Sequence, residues 1–219
     1  MKIGIIGAGN IGGNLTRRLT ALGHEVAVAN SRSPDTLTGL AAETGAKAVL
    51  AREASEGADI VVVTIPMKAV PHLPSDLLDG SAADVVVIDT CNYYPQQRDG
   101  RISEIEEGMT ESSWVEQQLG VSVVKAFNGI HADHLLSAGR PHGAAGRIAL
   151  PVAGDDAAAK PVVMELVDAL GFDPVDAGGL HESWRQQPGT PVYGADADAD
   201  GVRKALAAAS PTRGPDWRA

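Results

Sequence analysis

The sequence predicts an α/β protein with a doubly wound, mostly parallel sheet and a small C-terminal cap region. Short apolar runs alternate with helical patterns along most of the 219 residues. Two runs, residues 59–64 and 84–89, are apolar almost throughout, which is typical of parallel strands buried on both faces. A glycine-rich turn joins the first apolar run to the first helical pattern. Together these observations favour a sheet covered by helices on both sides.

The glycine-rich turn follows an apolar run at residues 3–6 and precedes Leu15, Leu19 and Leu22 at helical spacing, which gives strand, turn and helix. In a GxGxxG turn the first glycine makes the bend, the second lets backbone approach a pyrophosphate, and the third packs helix on strand. The turn therefore predicts dinucleotide binding and a Rossmann-type sheet, and a turn that serves packing alone is the alternative. The predicted contact residues are Gly7, Ala8, Gly9, Asn10, Ile11 and Gly12.

The next elements continue the alternation. A helix at 10–22 and a strand at 25–29 come first. Ser33 followed by Pro34 is typical of a helix start and predicts a helix over 34–44. The pattern then predicts a strand at 46–49, a short helix at 52–56, a strand at 59–64, a helix at 68–78, a strand at 84–89, a polar loop at 90–100, a helix at 112–119 and a strand at 122–126.

The C-terminal part of the chain predicts a smaller unit. Its elements are a strand at 147–152, a helix at 155–170, a strand at 172–175 and an irregular tail from residue 178 with a helical segment at 202–209. We therefore predict two domains. Residues 1–128 form the nucleotide-binding Rossmann domain, and residues 129–219 form the smaller α/β cap region and tail.

The composition restricts the classes of function. The net charge is −10, so a nucleic-acid surface, which normally carries a basic excess, is not expected. Cys91 is the single cysteine, which excludes an intramolecular disulfide and a cysteine-based zinc site. No apolar run approaches the roughly 18 residues of a membrane helix, and the first strand leaves no room for a signal peptide. We expect a soluble, cytoplasmic protein without membrane or nucleic-acid partners.

The end of the second strand distinguishes the two nicotinamide dinucleotides. An NAD site carries an acidic residue there, about 20 residues after the glycines, to hold the ribose 2′-hydroxyl. Here the chain reads Asn30-Ser31-Arg32, and the nearest carboxylate, Asp35, lies beyond Pro34. A guanidinium flanked by hydroxyl groups suits a 2′-phosphate, which a carboxylate would repel. We therefore predict NADP(H) as the cofactor, with a solvated surface role for the arginine as the alternative.

The carboxyl ends of the later strands supply the other candidate contacts, because ligands of open α/β sheets bind outside these ends. Thr64, Ile65 and Pro66 are candidates to border the ribose and the nicotinamide. Asn92 and Asn128 are candidates to bond the carboxamide, although an asparagine at a strand end is as often a turn or cap residue.

Four segments together resemble a known family. The segments GIIGAGNIG, NSR, VVVTIP and VVKAFNGIHADHL are similar to those of the coenzyme F420-dependent NADP oxidoreductases and to the cytoplasmic reductase domains of membrane ferric reductases. The resemblance covers about residues 1–176. It implies direct hydride transfer between nicotinamide and a stacked deazaflavin ring, with no acid–base residue, and a homodimer. It places Ala8, Gly9, Asn10, Ile11, Ser31 and Arg32 around the phosphates and Ile65 and Pro66 at the nicotinamide.

This chain departs from the family pattern in two places. Some members carry a further basic residue shortly after the SR dipeptide, and residues 33–36 offer none. The segment 181–193 matches no family motif that we identify. Its aromatic residues, Trp184 and Tyr193, are candidates to line the pocket of the second substrate, and the resemblance alone does not fix the hydride acceptor.

Two histidines lie near the predicted start of a helix. His131 and His134 have a separation that suits a metal, but no third ligand is evident, so we expect a cap or pocket-wall role and no metal site. If the acceptor is a carbonyl or an imine, His131 is the candidate proton donor. The acidic residues in 196–201 resemble a calcium loop that lacks its twelfth ligand, and we interpret them as a solvated turn before a helix.

Three functions remain open from the sequence. The first is an NADPH-dependent oxidoreductase that acts on coenzyme F420. The second is an NADPH reductase of another flavin, a ferric chelate or a small carbonyl or imine. The third is a non-catalytic NADPH-binding sensor. Direct hydride transfer needs no catalytic side chain, so the lack of a recognisable one does not distinguish an enzyme from a sensor.

Overall fold

A computed structural model describes residues 1–219 and confirms the predicted fold class. Six parallel strands form one sheet in the order β3-β2-β1-β4-β5-β6. The strand order reverses between β1 and β4, as in a doubly wound sheet with a ligand crevice at that point. The strands are β1 (Lys2–Ile6), β2 (Glu25–Ala29), β3 (Lys47–Ala48), β4 (Ile60–Val63), β5 (Val86–Asp89) and β6 (Val123–Lys125).

Helices connect the strands and cover both faces of the sheet. The α-helices are α1 (Asn10–Ala21), α2 (Thr38–Thr44), α3 (Ala51–Ser55), α4 (Ser103–Glu106), α5 (Glu111–Leu119), α6 (Ala132–Ser137), α7 (Ala159–Ala169) and α8 (Ala199–Ala207). Short 3-10 helices occupy Pro34–Leu37, Met67–His72, Leu180–Gln186 and Pro215–Trp217, and a π-helical turn occupies Pro95–Asp99. No helix of the structure combines the length and the apolar composition needed to cross a membrane.

The strand register brings the carboxyl ends together at one edge of the sheet. Ile6 pairs with both Ala29 and Val63, Val63 pairs with Asp89, and Asp89 pairs with Lys125. The glycine turn and the segments that follow β2, β4, β5 and β6 therefore meet along this edge, where a dinucleotide site is expected.

The buried apolar side chains form a cluster on each face of the sheet. Val86 and Ile88 of β5 belong to the cluster that contains Leu15 of α1. Val87, which points the other way, belongs to the cluster that contains Val115 of α5. The alternation explains why β5 is apolar from Val86 to Ile88, since successive side chains are buried on opposite faces.

The C-terminal residues add a second, two-stranded parallel sheet of β7 (Ala149–Val152) and β8 (Asp173–Asp176). Lys125 and Ala153 exchange two backbone hydrogen bonds of 2.7 and 3.1 Å, which join this sheet to β6. Leu150 of β7 and Val163 of α7 lie in the same apolar cluster as α1. The two sheets therefore share a core, and a functional division near residue 128 remains a prediction.

The predicted helix at 68–78 is wrong in both type and length. The chain forms the 3-10 helix Met67–His72 and then continues as turns. Pro71 lies inside this helix and Pro74 follows it, and neither has an N–H group to continue an α-helical hydrogen-bond pattern. The tail is also more ordered than predicted, because it contains the 3-10 helix Leu180–Gln186.

Candidate functional site

The glycine turn has the geometry that its sequence predicts. Gly7 has φ of 116°, and a Cβ there would lie 2.2 Å from the carbonyl oxygen of Thr64. A Cβ on Gly12 would lie 1.9 Å from the carbonyl oxygen of Gly7. A Cβ on Gly9 would meet no atom within 4 Å. Packing therefore requires glycine at positions 7 and 12, whereas Gly9 leaves open space on the side where a ligand would approach.

The start of α1 offers unpaired N–H donors to that open space. Gly9 is the N-cap residue, and no side chain caps the helix. The first turn contains no acidic residue, so nothing in it neutralises the positive end of the helix dipole. Free N–H groups and a positive dipole end together make an anion site, which fits a diphosphate.

A cleft of about 480 Å³ opens beside this turn. It joins the turn to the segment after β2 and to the first residues of α6, and Asn14 Nδ2 donates a 2.8 Å hydrogen bond to the carbonyl oxygen of Ala132 across α1 and α6. Of the predicted contact residues, the cleft is lined by Ala8, Gly9, Asn10 and Arg32. The cleft is thus bordered by both the phosphate turn and the predicted 2′-phosphate sensor.

The two arginines that line the cleft differ in their partners. The Arg17 guanidinium donates hydrogen bonds of 2.6 and 2.7 Å to the Glu43 carboxylate, and this pairing raises its pKa. The Arg32 side chain is exposed and makes no hydrogen bond or ion pair. Its backbone N–H donates to Asn30 Oδ1 at 2.8 Å, which shapes the turn after β2. Arg32 is therefore the cation of this cleft that is available to a ligand.

The other polar residues after β2 place no free carboxylate beside Arg32. Asn30 Nδ2 donates to Thr36 Oγ1 at 2.9 Å, so a neutral amide stands where an NAD site has its carboxylate. Asp35 bonds the Ser33 hydroxyl at 3.0 Å within the same turn. Ser31 is exposed beside Arg32.

The predicted nicotinamide contacts lie further along the same edge. Thr64, Ile65 and Pro66 follow β4 and are partly exposed. Asn92 follows β5 and is also partly exposed, whereas Asn128 follows β6 and is 5% exposed. The structure therefore places all five at the carboxyl ends of neighbouring strands, and their contacts with a cofactor remain predictions.

An amide network joins the ends of β5 and β6. Asn92 Nδ2 donates to the Asn128 carbonyl at 2.9 Å, and Asn128 Nδ2 donates to Asn92 Oδ1 at 3.1 Å and to the Gln186 carbonyl at 2.7 Å. Gln186 Nε2 returns a 3.1 Å bond to Asn128 Oδ1. Phe127, the buried residue before Asn128, has φ of 60°, a strained backbone value for a non-glycine residue.

Tyrosines from distant parts of the chain meet beside Asn92. Its amide approaches Tyr193 Oη at 3.5 Å, and Tyr193 hydrogen-bonds Tyr94 through their hydroxyl groups. The Trp217 ring lies 5.8 Å from the Tyr94 ring and 6.4 Å from the Tyr193 ring. Burial and the neighbouring Tyr94 hydroxyl raise the pKa of Tyr193. Sequence reasoning missed Tyr94, although an aromatic pair directly after a strand end was a usable signal.

His131, Trp184 and the acidic turn before α8 lie outside the amide network. His131 is the exposed N-cap residue of α6, makes no side-chain cap bond, and has its ring 5.4 Å from the ring of His134. Trp184 lines a cavity that Tyr193 does not border. Asp198 caps α8 through a 2.8 Å bond from the Gly201 N–H, which confirms the acidic turn before a helix.

Cys91 and Lys125 are buried structural groups. Burial raises the pKa of the Cys91 thiol well above its usual value, which disfavours a nucleophilic thiolate. Lys125 Nζ is fully buried, donates to Asp89 Oδ2 at 3.1 Å, and also bonds the Cys91 carbonyl. Asp89 Oδ2 accepts a further bond of 2.7 Å from the Ser112 hydroxyl, so the ion pair is well satisfied.

Sequence comparisons relate the chain to redox proteins. Residues 2–93 match the family described as NADP oxidoreductase, coenzyme F420-dependent. A segment of 180 residues, 82% of the chain, is 28% identical to the metalloreductase STEAP3 of Rattus norvegicus. The chain spans about half or less of the length of the relatives that it matches by sequence, 48% of one and 34% of STEAP3.

Structural comparisons extend the similarity through the C-terminal region. The crystal structure of the hypothetical protein SMa0349 from Sinorhizobium meliloti has a TM-score of 0.76 and 30% identity, and the match covers 90% of this chain and 95% of that chain. A candidate F420-dependent NADP reductase from Arthrobacter sp. FB24 has a TM-score of 0.67 and 24% identity, over 82% of this chain and 85% of that chain. The second match shows a shared fold.

Proposed function

Because this chain belongs to the family of coenzyme F420-dependent NADP oxidoreductases, we propose that it transfers a hydride between NADP(H) and the deazaflavin coenzyme F420. The family match and the Rossmann-type sheet support an NAD(P)-dependent oxidoreductase. The choice of NADP(H) and the choice of F420 are our proposals, and different observations support them.

The observation that carries the cofactor proposal is the free guanidinium of Arg32 in the cleft beside the glycine turn. The cleft holds an anion site at the start of α1, and Arg32 lies on the same surface without a protein partner. A phosphate on the adenosine ribose supplies the charge and the paired oxygens that a guanidinium binds best. Asn30 removes the carboxylate that would repel such a phosphate.

The role of the protein in this reaction is positioning. When bound, NADPH supplies the hydride. The chain's own residues bind the diphosphate at Gly9 and the start of α1, hold the extra phosphate at Arg32, and border the reacting end with Ile65 and Pro66. These apolar side chains at the end of β4 help to exclude water from the transfer. No acid–base side chain is needed for the hydride step itself.

A comparison of dissociation constants tests the cofactor proposal. We expect NADPH to bind more tightly than NADH, and Arg32→Ala to weaken NADPH binding about 10- to 100-fold, the range expected when a charge-assisted contact is lost. NADH binding should change little. Arg101→Ala, which removes an exposed arginine outside the cleft, is the matched control. Equal affinity of the wild type for the two cofactors would contradict the proposal.

An absorbance assay tests the acceptor. With NADPH and F420 we expect oxidation of NADPH together with reduction of the deazaflavin, each followed at its own wavelength. FAD, FMN, a ferric chelate and small carbonyls or imines are tested in parallel. Turnover with an ordinary flavin but not F420 would move the assignment to a flavin reductase. NADPH binding without turnover on any acceptor would favour a sensor.

Metal reduction is a second candidate because of the similarity to the metalloreductase STEAP3. A ferric ion accepts one electron at a time, whereas a nicotinamide donates a hydride, so this reaction requires a flavin between the two. Reduction of a ferric chelate that depends on added flavin would support metal reduction. Turnover with F420 in the absence of flavin would support hydride transfer to F420.

A further inference from the structure

Tyr94 and Tyr193 form a hydrogen-bonded pair of partly exposed side chains beside Asn92, at the edge where the nicotinamide contacts are predicted. Tyr94 belongs to the loop that follows β5. Tyr193 comes from the C-terminal tail, and the Gly194 N–H next to it donates a 2.8 Å hydrogen bond to the Gly129 carbonyl after β6. A Cβ on Gly129 would lie 3.8 Å from Tyr193 Cδ2. Two distant parts of the chain therefore bring their hydroxyl groups together at this edge.

The hydrogen bonds around this pair leave one hydroxyl proton without an acceptor in the protein. Asn92 Nδ2 donates to the Asn128 carbonyl at 2.9 Å and approaches Tyr193 Oη at 3.5 Å. An amide nitrogen only donates, so Tyr193 Oη is the acceptor in that contact. Two hydroxyl groups carry two protons, and the bond between Tyr94 and Tyr193 uses one of them. The second proton is available to a ligand.

The contact with Asn92 gives this chain of donors a direction. Because Tyr193 Oη accepts from the amide, its own O–H is polarised toward the next oxygen, which is that of Tyr94. The available proton then belongs to Tyr94. The Arg98 guanidinium lies 4.9 Å from the centre of the Tyr94 ring, and the Trp217 ring lies 5.8 Å away. These contacts hold the ring, so its hydroxyl group is a preorganised donor.

A fixed O–H donor at this edge suits the group that gains negative charge in a hydride transfer. The C–H bond of the nicotinamide breaks, and a new C–H bond forms on the acceptor with the same two electrons. In a conjugated ring the displaced electron pair moves to a ring oxygen or nitrogen. A donor at that atom stabilises the charge where it develops. The nicotinamide is oxidised, the acceptor is reduced by two electrons, and water supplies the proton that completes the product.

We propose that Tyr94 contacts the hydride acceptor, and that its hydroxyl group donates a hydrogen bond to a ring carbonyl or ring nitrogen of a conjugated heterocycle. Tyr193 is a positioning residue, because it acts through the Tyr94 hydroxyl. The inference rests on the proposed hydride transfer. It is not restricted to F420, because flavins and deazaflavins share a ring with such carbonyl groups and nitrogens.

Acceptor dissociation constants test this contact without turnover. Tyr94→Phe should weaken oxidised F420 in the NADP⁺ complex about 3- to 10-fold and reduced F420 in the NADPH complex about 10- to 100-fold. The second loss is larger because a hydrogen bond to a charged acceptor is stronger. NADPH binding should not change. Tyr93→Phe is the matched control, since it removes the same atom from a hydroxyl group that donates to Glu106 at 3.0 Å.

The positioning role of Tyr193 is tested by a double-mutant cycle. Tyr193→Phe keeps the Tyr94 hydroxyl but removes the oxygen that orients it, so the loss for reduced F420 should be about 2- to 5-fold. The double variant with Tyr94→Phe should bind within about 2-fold of Tyr94→Phe alone. Fully additive losses would contradict the positioning role, because they would show that each hydroxyl group acts independently.

Fluorine NMR of the otherwise unchanged chain tests the contact even if Tyr94→Phe does not fold. The chain has three tyrosines, so labelling with ring-fluorinated tyrosine gives three signals. Tyr93→Phe and Tyr193→Phe assign these signals, the third by elimination. Addition of F420 to the NADP⁺ complex should shift the signal of Tyr94 most, because the hydrogen bond forms at its ring.

The outcomes separate this inference from the proposed acceptor. Unchanged F420 affinity in a folded Tyr94→Phe variant, an unmoved Tyr94 signal, or an equal loss of NADPH binding would overturn the inference and leave F420 as the acceptor. If F420 does not bind but FMN or FAD binds with the same dependence on Tyr94, the proposed acceptor is wrong and the inference stands. If no flavin or deazaflavin binds, both are wrong.

Discussion

At the residue scale, the two arginines of the dinucleotide cleft differ only in their neighbours. Both are cations on the same surface, but Glu43 holds Arg17 through a two-pronged ion pair, and Arg32 has no such partner. Glu43 lies 26 residues from Arg17 in the chain, so this pairing cannot be read from local sequence. The assignment of Arg32 as the phosphate sensor depends on this difference.

The glycines of the turn give a prediction at the same scale. Gly12→Ala should lower the free energy of unfolding by about 1–3 kcal/mol, because the new methyl group collides with the Gly7 carbonyl and an overpacked site must shift. Gly9→Ala should change stability by less than about 0.5 kcal/mol, since its methyl group enters open space. It should weaken NADPH binding about 10-fold, because that space is where the diphosphate approaches.

Thermal or denaturant unfolding and a fluorescence titration with NADPH measure the two effects. Each variant is the control for the other, since the same atom is added three residues away. A stable Gly12→Ala protein would show that the helix can move away from β1. A Gly9→Ala protein with wild-type affinity would show that the diphosphate does not approach this face of the turn.

At the element scale, the C-terminal tail is held against α5 by a buried ion pair. Glu111 is the first residue of α5 and is fully buried, and Arg213 of the tail donates to it at 2.8 Å. Glu111 Oε2 also accepts from the Tyr93 N–H at 3.1 Å, which ties the loop after β5 to the same carboxylate. Burial raises the pKa of Glu111, while Arg213 opposes the shift.

Removing the arginine should therefore destabilise the fold in a pH-dependent way. Arg213→Gln should lower the free energy of unfolding by about 3–5 kcal/mol near neutral pH, because Glu111 remains buried without its cation. The folded pKa of Glu111 lies above the ordinary 4.5, so ionisation of this carboxyl group lowers stability as pH rises through the folded pKa. Below that pKa the group is neutral, and the loss in the variant should diminish.

Denaturant unfolding across a series of mildly acidic to neutral pH values measures this dependence. The double variant Glu111→Gln with Arg213→Gln is the matched control, because it removes both charges and should recover much of the stability at neutral pH. A loss in the single variant that stays constant over the whole series would contradict a burial-raised pKa at Glu111.

At the scale of the whole molecule, the C-terminal residues complete the edge at which the glycine turn lies. The bridge between Lys125 and Ala153 joins the two sheets, and Gln186 and Tyr193 reach back to Asn128 and Asn92. The expected homodimer and the division of the chain near residue 128 remain predictions. The functional edge nevertheless contains side chains from both halves of the chain.

The local sequence was sufficient to predict the fold class and the glycine turn. It also shows that the segment after β2 carries Arg32 and no carboxylate at the position typical of an NAD site. Strand apolarity, glycine spacing and the residue after β2 are local properties, and they directly determine buried strands, a tight turn between β1 and α1, and the charge at the end of β2. The predicted helix at 68–78 failed because Pro71 and Pro74 limit the segment to a short 3-10 helix.

The tertiary structure decided which side chains are free and which are already paired. It joined Asn92, Asn128 and Gln186 into one network, placed Tyr94 against Tyr193, and paired Arg213 with Gln187. These partners are separated by 26 to 99 residues. Such contacts depend on packing between distant elements, and no pattern within one element specifies them.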